Sequence, residues 1–457
     1  MCGIVGVSNH KEAAKIVFLS LYALQHRGEE SCGILSFDGK RIHSKKARGL
    51  VADCFDESSV ESLKGNFAIG HTRYSTTGSS NSKNIQPFLA THKNKTIVIA
   101  HNGNLTNTEE LCNELEEQGS IFQTTMDSEV IVHLLARTKN GDVKNWVKQA
   151  LMRLQGAFSL VFMIEDVLVG ARDPFGFRPL CLGKKDDSYI LASETCALDL
   201  INAELVREIE PGEIVFISGG KIESVFLERK EKNAHCIFEN IYFARPDSHI
   251  FDDNIYLVRK RLGEQLAREN SIDADFVMSI PDSGNYAAVG YAKESGLPLE
   301  IGMIRNHYIG RTFIQPSQFL REFRVRVKLN PISDVLKGKR VVVVEDSIVR
   351  GTTSRSRVEE IRKAGAKEIH FRVTCPPITF PCFYGIDFPS KDELIASNKK
   401  IKEIADFIKV DSLEYLSLEG MLKVMKDSKA FCHACFDGVY PEQIPKNQSK
   451  YLLEKNC

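Results

Sequence analysis

The second residue of the chain is a cysteine, in the opening string MCGIVG. A methionine that precedes a small residue is normally removed, so we expect Cys2 to become the N-terminal residue, with a free α-amino group beside its thiol. This arrangement places a nucleophile and a base on one residue, which suits covalent catalysis of amide hydrolysis. Because only Met1 precedes Cys2, ordinary methionine removal is expected to suffice, and a chain that keeps Met1 is expected to be immature.

Four further strings carry residues that suit an amide substrate: QHRGEES, HTRYSTTG, AHNGNL and TTMDSE. The Asn102 side chain and the Gly103 main-chain amide, predicted at a turn after a strand, can donate hydrogen bonds to a developing oxyanion. Arg73 suits the α-carboxylate of an amino acid, and Asp127 suits its α-ammonium. Singly these signals are weak, because an Asn-Gly pair is usually only a turn and an Asp before a helix is usually an N-cap.

In this order, the strings CGIVG, QHRG, HTRYST and HNGNL resemble the class II glutamine amidotransferase domain, which is an N-terminal-nucleophile hydrolase. The resemblance implies that glutamine is the substrate and that the cysteine attacks it to form a γ-glutamyl thioester. The residues that it assigns are Cys2, Asn102 and Gly103 for catalysis, and Arg27, Arg73 and Asp127 for glutamine binding.

The string RVVVVEDSIVRGTTS combines a strand, two acids and a loop of small residues. Four consecutive valines predict a strand that is buried on both faces, and Glu345 and Asp346 fall where it ends. The residues from Arg350 to Thr353 can wrap a phosphate with their amides and hydroxyls at the N-terminus of the next helix. The alternative, a buried strand followed by a capped helix, explains the valines and threonines but not the adjacent acids.

This string resembles the diphosphoribose-binding motif of the type I phosphoribosyltransferases, although Glu345 stands where near relatives usually carry aspartate. The resemblance implies that the acids bind ribose hydroxyls or Mg²⁺ and that the loop binds the 5-phosphate. A second strand end, VMSIPDSGNYAAVG, is implied to lie on the pyrophosphate side, although PDSG alone is only a turn and an N-cap. The implied Mg²⁺ environment is Ser283, Glu345 and Asp346. The implied contacts to phosphoribosyl pyrophosphate are Ser283, Lys328, Glu345, Asp346, Ser347, Arg350, Gly351, Thr352 and Thr353.

Between these two elements lies the arginine-rich string RNHYIGRTFIQPSQFLREFRVRVKLN, which has no clean period. Long irregular loops are commonly lids or disordered segments. We interpret this one as a lid that closes over pyrophosphate, with Arg305, Arg311 and Lys328 as candidate contacts. An ordinary solvated loop is the alternative for each of them.

Cys432 and Cys435 are separated by two residues in FCHAC, and Cys236 and Cys382 complete a possible set of four thiols. Four thiolates are the ligand set of a structural zinc ion or of an iron-sulfur cluster, and the spacing leaves both open. The strings AHCIFENIYFARPDS, PPITFPCFYGID and FCHAC are similar to the iron-sulfur branch of the glutamine phosphoribosylpyrophosphate amidotransferase family. That resemblance implies one 4Fe-4S cluster on these cysteines, with a structural role and a capacity for oxygen sensing.

The resemblance to this family covers nearly the whole chain and implies an internal transfer of ammonia. Ammonia from glutamine would displace pyrophosphate from C1 of phosphoribosyl pyrophosphate and give 5-phosphoribosylamine. The family is typically a homotetramer inhibited by purine nucleotides, which we expect here too. A different class II amidotransferase, such as glucosamine-6-phosphate synthase, should carry sugar-isomerase domains instead of VVVVEDSIVRGTTS. A regulator that only senses the ligand, perhaps on DNA, should carry a basic face.

The helices and strands that must position these residues follow two different patterns along the chain. Through about residue 225 the pattern predicts short strands with a few amphipathic helices, as in a layered α+β domain. The predicted strands are Ile4–Val7, Gly33–Phe37, Phe67–His71, Thr96–His101, Ala157–Ile164, Tyr189–Ala192 and Ile214–Ile217, and the predicted helices are Ala13–Leu24, Thr106–Glu117 and Asp127–Arg137.

Beyond the charged string LERKEKNAH, which marks a linker, strands alternate with helices. This alternation predicts an α/β domain with a parallel sheet and ligands at the carboxyl ends of its strands. With the two resemblances, we predict a glutaminase domain of the N-terminal-nucleophile hydrolase fold at residues 1–230. A type I phosphoribosyltransferase domain with a C-terminal helical segment and the iron-sulfur site is predicted at 231–457.

The composition excludes several classes of protein. The 457 residues include 60 Lys and Arg against 60 Asp and Glu, so the formal net charge is zero. The net charge therefore does not attract the chain to nucleic acid or to an acidic membrane. The N-terminus lacks a signal-peptide pattern, and no run reaches the ~20 apolar residues of a membrane span. We therefore expect a cytoplasmic protein with no nucleic-acid or membrane partner, whose cysteines are mostly reduced.

Overall fold

The structure is a computed structural model, which describes residues 1–75, 78, 81–92, 95–137, 142–228, 230–306, 329–388, 390–445 and 452–454. Its first half contains two antiparallel sheets. The strands are β1 (Gly3–Ser8), β2 (Ser31–Phe37), β3 (Ile42–Arg48), β4 (Phe67–Arg73), β5 (Phe88–His92), β6 (Lys95–Leu105), β7 (Gly156–Ile164), β8 (Val167–Arg172), β9 (Cys181–Lys185), β10 (Ser188–Ala192), β11 (Glu204–Glu208), β12 (Glu213–Ser218) and β13 (Lys221–Phe226).

The two sheets pack face to face and are covered by helices on their outer faces. One sheet has the order β11-β9-β10-β1-β4-β2-β3 and the other the order β13-β12-β8-β7-β6-β5. Between them lies an apolar core to which Ile4 and Ile69 contribute from the first sheet and Val98 and Val161 from the second. The helices of this half are Ala13–Ala23, Val51–Cys54, Glu57–Ser62, Thr108–Glu117, Asp127–Arg137, Val143–Leu151 and Cys196–Leu200, with 3₁₀ turns at Gln25–Arg27 and Ser82–Asn84.

The second half is built on a parallel sheet, as predicted. Its strand order is β17-β20-β21-β22, and each neighbouring pair is parallel. Three two-stranded ribbons, β14 with β23, β15 with β16, and β18 with β19, accompany it. The strands are β14 (His235–Cys236), β15 (His249–Ile250), β16 (Asp253–Asn254), β17 (Phe276–Ser279), β18 (Met303–Arg305), β19 (Leu329–Pro331), β20 (Arg340–Glu345), β21 (Glu368–Val373), β22 (Ser412–Tyr415) and β23 (Phe431–Cys432).

Helices surround this sheet, so the four valines of β20 are fully buried. The helices are Ile255–Glu269, Asn285–Ser295, Ser333–Leu336, Thr352–Lys363, Ile395–Asn398, Ile401–Ile408, Leu418–Lys423 and Ala434–Asp437, with a π-helical turn at Glu239–Phe243 and 3₁₀ turns at Lys391–Glu393 and Leu452–Glu454. The predicted boundary at residue 230 falls between the end of β13 and the start of β14. None of the described helices is long and apolar enough to cross a bilayer.

Candidate active sites in the two halves

Cys2 lies directly before β1, a central strand of the first sheet. Its main-chain N–H donates to Asn102 Oδ1 at 3.0 Å, and its Sγ lies 3.5 Å from the carbonyl oxygen of Tyr74. Met1 is buried, with 1% of its surface exposed, among apolar residues of the second half. The packing of the two sheets therefore brings the predicted nucleophile to Asn102 of β6, 100 residues along the chain.

Asn102 and Gly103 lie within strand β6 and not at the turn that we predicted. Pairing with β7 continues past them to Leu105, and it holds Asn102 opposite Ser159. The Asn102 Nδ2 atom is buried and has no hydrogen-bond partner among the described residues. A Cβ at position 103 would lie 2.0 Å from the Ala157 carbonyl oxygen, so only glycine fits. The pair can serve as oxyanion donors, because an unused amide N–H is held beside Cys2.

Arg73 ends β4 and Asp127 begins a helix, and the two side chains are close enough to interact electrostatically. Asp127 accepts a hydrogen bond from the Leu105 N–H at 3.1 Å and lies 3.3 Å from Nδ1 of His101. Burial opposes ionisation of Asp127, but His101 holds the pKa of this carboxyl below its usual value. Burial lowers the pKa of the Arg73 guanidinium, against the attraction of Cys2, Glu30 and Asp127. A carboxylate therefore lies near a guanidinium that is itself near Cys2.

Arg27 contacts the main chain of Cys2 and two buried carboxylates, whereas we predicted that it binds glutamine. Its Nε donates to the Cys2 carbonyl at 3.0 Å, while its other nitrogens bind the carboxylates of Glu194 and Glu239. All three side chains are fully buried. Although burial alone would lower it, the two carboxylates raise the pKa of Arg27. Arg27 thus positions the main chain of Cys2, and its direct contact with glutamine stays a prediction.

Sequence reasoning did not identify His101, Glu194 and Glu239. Both ring nitrogens of His101 face acceptors, since Nε2 lies 3.3 Å from the Ala157 carbonyl and Nδ1 faces Asp127. The pKa of His101 is therefore raised, despite the opposing effect of burial. The sequence feature that could have identified His101 is its position directly before Asn102. Nothing in the sequence marks the two glutamates, because their role depends on how the two halves pack.

Glu345 and Asp346 stand at the carboxyl end of β20, as predicted. Ser283 Oγ donates to Glu345 Oε1 at 3.1 Å, and the Asp346 N–H donates to the same oxygen at 3.2 Å. Burial and the neighbouring Asp346 raise the pKa of Glu345 well above its usual value. The parallel pairing of β17 with β20 brings the two predicted strand ends together. Buried acids beside a hydroxyl form an oxygen-rich site of the type that Mg²⁺ prefers.

The predicted phosphate loop leads into the helix Thr352–Lys363. Gly351 has a φ of +74°, and Thr352 and Thr353 are exposed in the first turn of the helix. Ser347 Oγ donates to Asp346 Oδ2, and Arg350 Nε donates to Glu393 at 2.7 Å. Exposed hydroxyls and main-chain amides at a helix N-terminus provide donors for a phosphate.

A cavity of about 340 Å³ opens beside Ser283, which donates to Glu345, and is lined by both halves of the chain. Asp282, Ser283 and Arg305 line it from the second half, and His26 lines it from the first. Asp282 and Arg305 form an ion pair across its wall. Of the other predicted lid residues, Arg311 and Lys328 lie outside the described residues.

The four predicted cysteines lie near the junction of the two halves. Parallel pairing of β14 with β23 sets Cys236 opposite Cys432. The Tyr384 N–H donates to Cys382 Sγ at 3.4 Å, and the N–H of Phe380 donates to the Cys435 carbonyl at 3.1 Å.

Burial raises the pKa of the Cys432 thiol, and the nearby Cys236 and Cys382 raise it further. All four thiols are free of disulfides. Among the described residues, no three Cys, His, Asp or Glu side chains are close enough to hold one metal ion.

A family model described as a glutamine amidotransferase domain matches residues 71–200 of the chain. The chain is 50% identical over 463 residues to an amidophosphoribosyltransferase of Methanocaldococcus jannaschii, covering 97% of this chain and 98% of the relative. It is 48% identical over 454 residues to the chloroplastic amidophosphoribosyltransferase of Glycine max, covering 99% of this chain and 80% of the relative.

A solved structure shows the same likeness in three dimensions. Glutamine phosphoribosylpyrophosphate amidotransferase from B. subtilis, complexed with ADP and GMP, has a TM-score of 0.92 and 45% identity. The match covers 98% of each chain. Because the match extends over both halves, it excludes the alternative in which only the first half is shared.

Proposed function

This chain belongs to the amidophosphoribosyltransferase family, the enzymes of the first step of purine biosynthesis, and we propose how its two halves divide that reaction. Glutamine, phosphoribosyl pyrophosphate and water give 5-phosphoribosylamine, glutamate and pyrophosphate. The first half hydrolyses glutamine and the second uses the ammonia. The observation that carries this division is the Asn102 Nδ2 atom, which lies beside Cys2 and has no hydrogen-bond partner among the described residues. In the other half, Ser283 binds Glu345 and lines a cavity.

In the glutamine site, the Cys2 thiol attacks the side-chain amide carbon and its own α-amine accepts the proton. The Asn102 side chain and the Gly103 amide stabilise the oxyanion. Ammonia leaves, and water hydrolyses the thioester to glutamate. Arg73 binds the α-carboxylate of glutamine and Asp127 binds its α-ammonium.

The surroundings of the N-terminus suit an amine that acts as a base. Burial lowers the pKa of the Met1 α-ammonium to about 5, against the effect of Cys2, and Arg178 and Arg27 add to the lowering. After removal of Met1, the Cys2 amine keeps one of these cations nearby, because Arg27 Nε donates to the Cys2 carbonyl at 3.0 Å. A nearby cation favours the neutral amine, which is the form that accepts a proton.

In the second site, the phosphate loop from Arg350 to Thr353 binds the 5-phosphate and the acids bind the ribose hydroxyls. Ser283, Glu345 and Asp346 present oxygen ligands that suit Mg²⁺. When bound, Mg²⁺ neutralises charge on the departing pyrophosphate. Arg305, on the cavity wall, and Lys328 are proposed pyrophosphate contacts.

Ammonia passes between the sites inside the protein. Ammonia is largely protonated in neutral water and would then lose its nucleophilicity, so a passage that excludes water has a chemical purpose. The cavity lined by His26 and Ser283 joins the two halves and suits the end of such a passage.

Cys236, Cys382, Cys432 and Cys435 are proposed to hold one 4Fe-4S cluster. The donor set fits, because it supplies four thiols that are near one another and free of disulfides. Four thiolates also suit a zinc ion, and the resemblance to the iron-sulfur branch of the family favours the cluster. When bound, the cluster fastens the C-terminal segment to the second half and can respond to oxygen.

We extend three further properties of the family to this chain as proposals. They are a homotetrameric assembly, inhibition by purine nucleotides and a cytoplasmic location. The nucleotide proposal is supported by ADP and GMP in the B. subtilis structure. Plant relatives are chloroplastic, so location differs within the family.

An anaerobic preparation tests the two-site proposal and the cluster together. Pyrophosphate release from phosphoribosyl pyrophosphate should occur with glutamine and also with ammonia. The protein should be brown and contain about four irons per chain. Colourless protein with one zinc per chain would refute the cluster. Pyrophosphate release at a rate that neither glutamine nor ammonia changes would refute the function.

A further inference from the structure

A loop of the second half packs directly on the strand that carries the oxyanion donors. Asn104 Nδ2 donates to the Phe383 carbonyl at 3.0 Å, and Asn104 is nine-tenths buried. In a strand, residues two apart point to the same face, so Asn104 shares a face with Asn102. The hydrogen bond therefore joins the two halves two residues from the proposed oxyanion donor.

Gly385 brings the same loop against the main chain of Gly103. A Cβ at position 385 would lie 3.1 Å from both the carbonyl carbon and the carbonyl oxygen of Gly103. The φ of Gly385 is +105°, a value that other residues rarely adopt. Glycine is therefore required by both the close approach and the backbone conformation.

Arg178 joins this loop to the strand on the other side of Asn102. Its Nε donates to the Tyr384 carbonyl at 3.0 Å, and its own carbonyl accepts from Ser159 Oγ at 3.0 Å. Ser159 stands opposite Asn102 in the β6–β7 register. The segment Phe383–Gly385 thus contacts the oxyanion strand directly and reaches its neighbour through Arg178.

We propose that Phe383–Gly385 is a clamp that sets the position of the Asn102 and Gly103 donors, with Asn104 as a positioning residue for glutamine hydrolysis. This inference rests on the proposed oxyanion role of Asn102. Oxyanion stabilisation depends on donor placement, because the donors must meet the oxygen where charge develops. Loosening the clamp should therefore slow the chemical step without weakening glutamine binding.

Asn104→Ala in the full-length enzyme tests this role. We expect kcat for glutamine hydrolysis to fall about ten-fold, with KM for glutamine and the ammonia-dependent rate unchanged. Asn107→Ala is a matched control, because Asn107 Nδ2 donates to the Arg153 carbonyl at 2.9 Å and its Oδ1 accepts from the Gln155 N–H at 3.0 Å, both within the first half. Gly385→Ala is a second variant that should show the same change in kcat.

Alkylation of Cys2 gives a readout that a general structural defect would not produce. A chloroketone analogue of glutamine reacts through a tetrahedral adduct, which needs the oxyanion donors, whereas iodoacetamide reacts by direct displacement. Asn104→Ala should slow the chloroketone but not iodoacetamide. Equal slowing of both reagents, an unchanged kcat, or an equal loss of ammonia-dependent synthesis would overturn the clamp.

Asn102→Ala separates this inference from the proposed function. If Asn102→Ala hydrolyses glutamine normally, the oxyanion assignment fails and the clamp fails with it. If Asn102→Ala is defective while Asn104→Ala and Gly385→Ala are normal, only the clamp fails.

Discussion

Asp127 and His101 show which parts of the glutamine site were predictable at the scale of single residues. Asp127 is predicted from its residue type and from a resemblance, and in the structure its carboxylate lies 3.3 Å from His101 Nδ1 and near Arg73. His101 was not predicted, because the acceptors that raise the pKa of this buried histidine are brought around it only by the fold. The same applies to Glu194, which pairs with Arg27 across 167 positions of sequence.

The contact between His101 and Asp127 gives a prediction about how the stability of the protein depends on pH. The pKa of His101 is raised on folding, so its stabilising contribution is complete below about pH 6.5 and is lost as the pH rises through the raised value. The pKa of Asp127 is lowered, so its contribution is present above about pH 3.9 and is lost as the pH falls through the lowered value.

His101→Gln, compared with the wild type by calorimetry, tests this account. The melting temperature of the wild type should exceed that of the variant most between about pH 4 and pH 6.5, and the difference should shrink above that range. A difference that stays constant across the pH range would show that His101 is not a charged partner of Asp127.

At the scale of elements, long or strongly patterned segments were predicted well. The helix Asp127–Arg137 and the valine strand β20 both lie where the pattern placed them. Strand β3 was missed because it is a polar strand at the sheet edge, next to β2. Asn102 and Gly103 were assigned to a turn because local preference favours one, whereas pairing with β7 keeps them extended.

Gly351 in the phosphate loop carries a prediction at this scale. Gly351→Ala should raise KM for phosphoribosyl pyrophosphate about ten-fold, because alanine at φ +74° costs roughly 1–2 kcal/mol and would displace the loop. Its Cβ would also lie 2.8 Å from Ile395 Cδ1. Glutamine hydrolysis should keep its KM for glutamine, and steady-state kinetics measure both constants.

Gly338→Ala is the matched control for this variant. Gly338 has a φ of +73° in the same half, and a Cβ there would meet no atom within 4 Å. Gly338→Ala should have the same cost in backbone conformational energy as Gly351→Ala, but KM for phosphoribosyl pyrophosphate should not change. An equal rise of KM in both variants would contradict the assignment of the loop to phosphate binding.

At the scale of the whole molecule, buried contacts join the two halves at the nucleophile. Arg27 links the Cys2 carbonyl to Glu239 of the second half, and a cavity lined by His26 and Ser283 lies between the halves. The sequence predicted two domains but not how they face each other, because these contacts form only in the folded chain. Family likeness over the whole chain, and not local pattern, made the joint function predictable.

The central claim is that one chain holds two separable chemical sites, and Cys2→Ala tests it most directly. Formation of 5-phosphoribosylamine should be measured with glutamine and then with ammonia as the nitrogen source. The account predicts no synthesis from glutamine and an ammonia-dependent rate within about two-fold of the wild type. Loss of both rates, or synthesis from glutamine without the thiol, would contradict it.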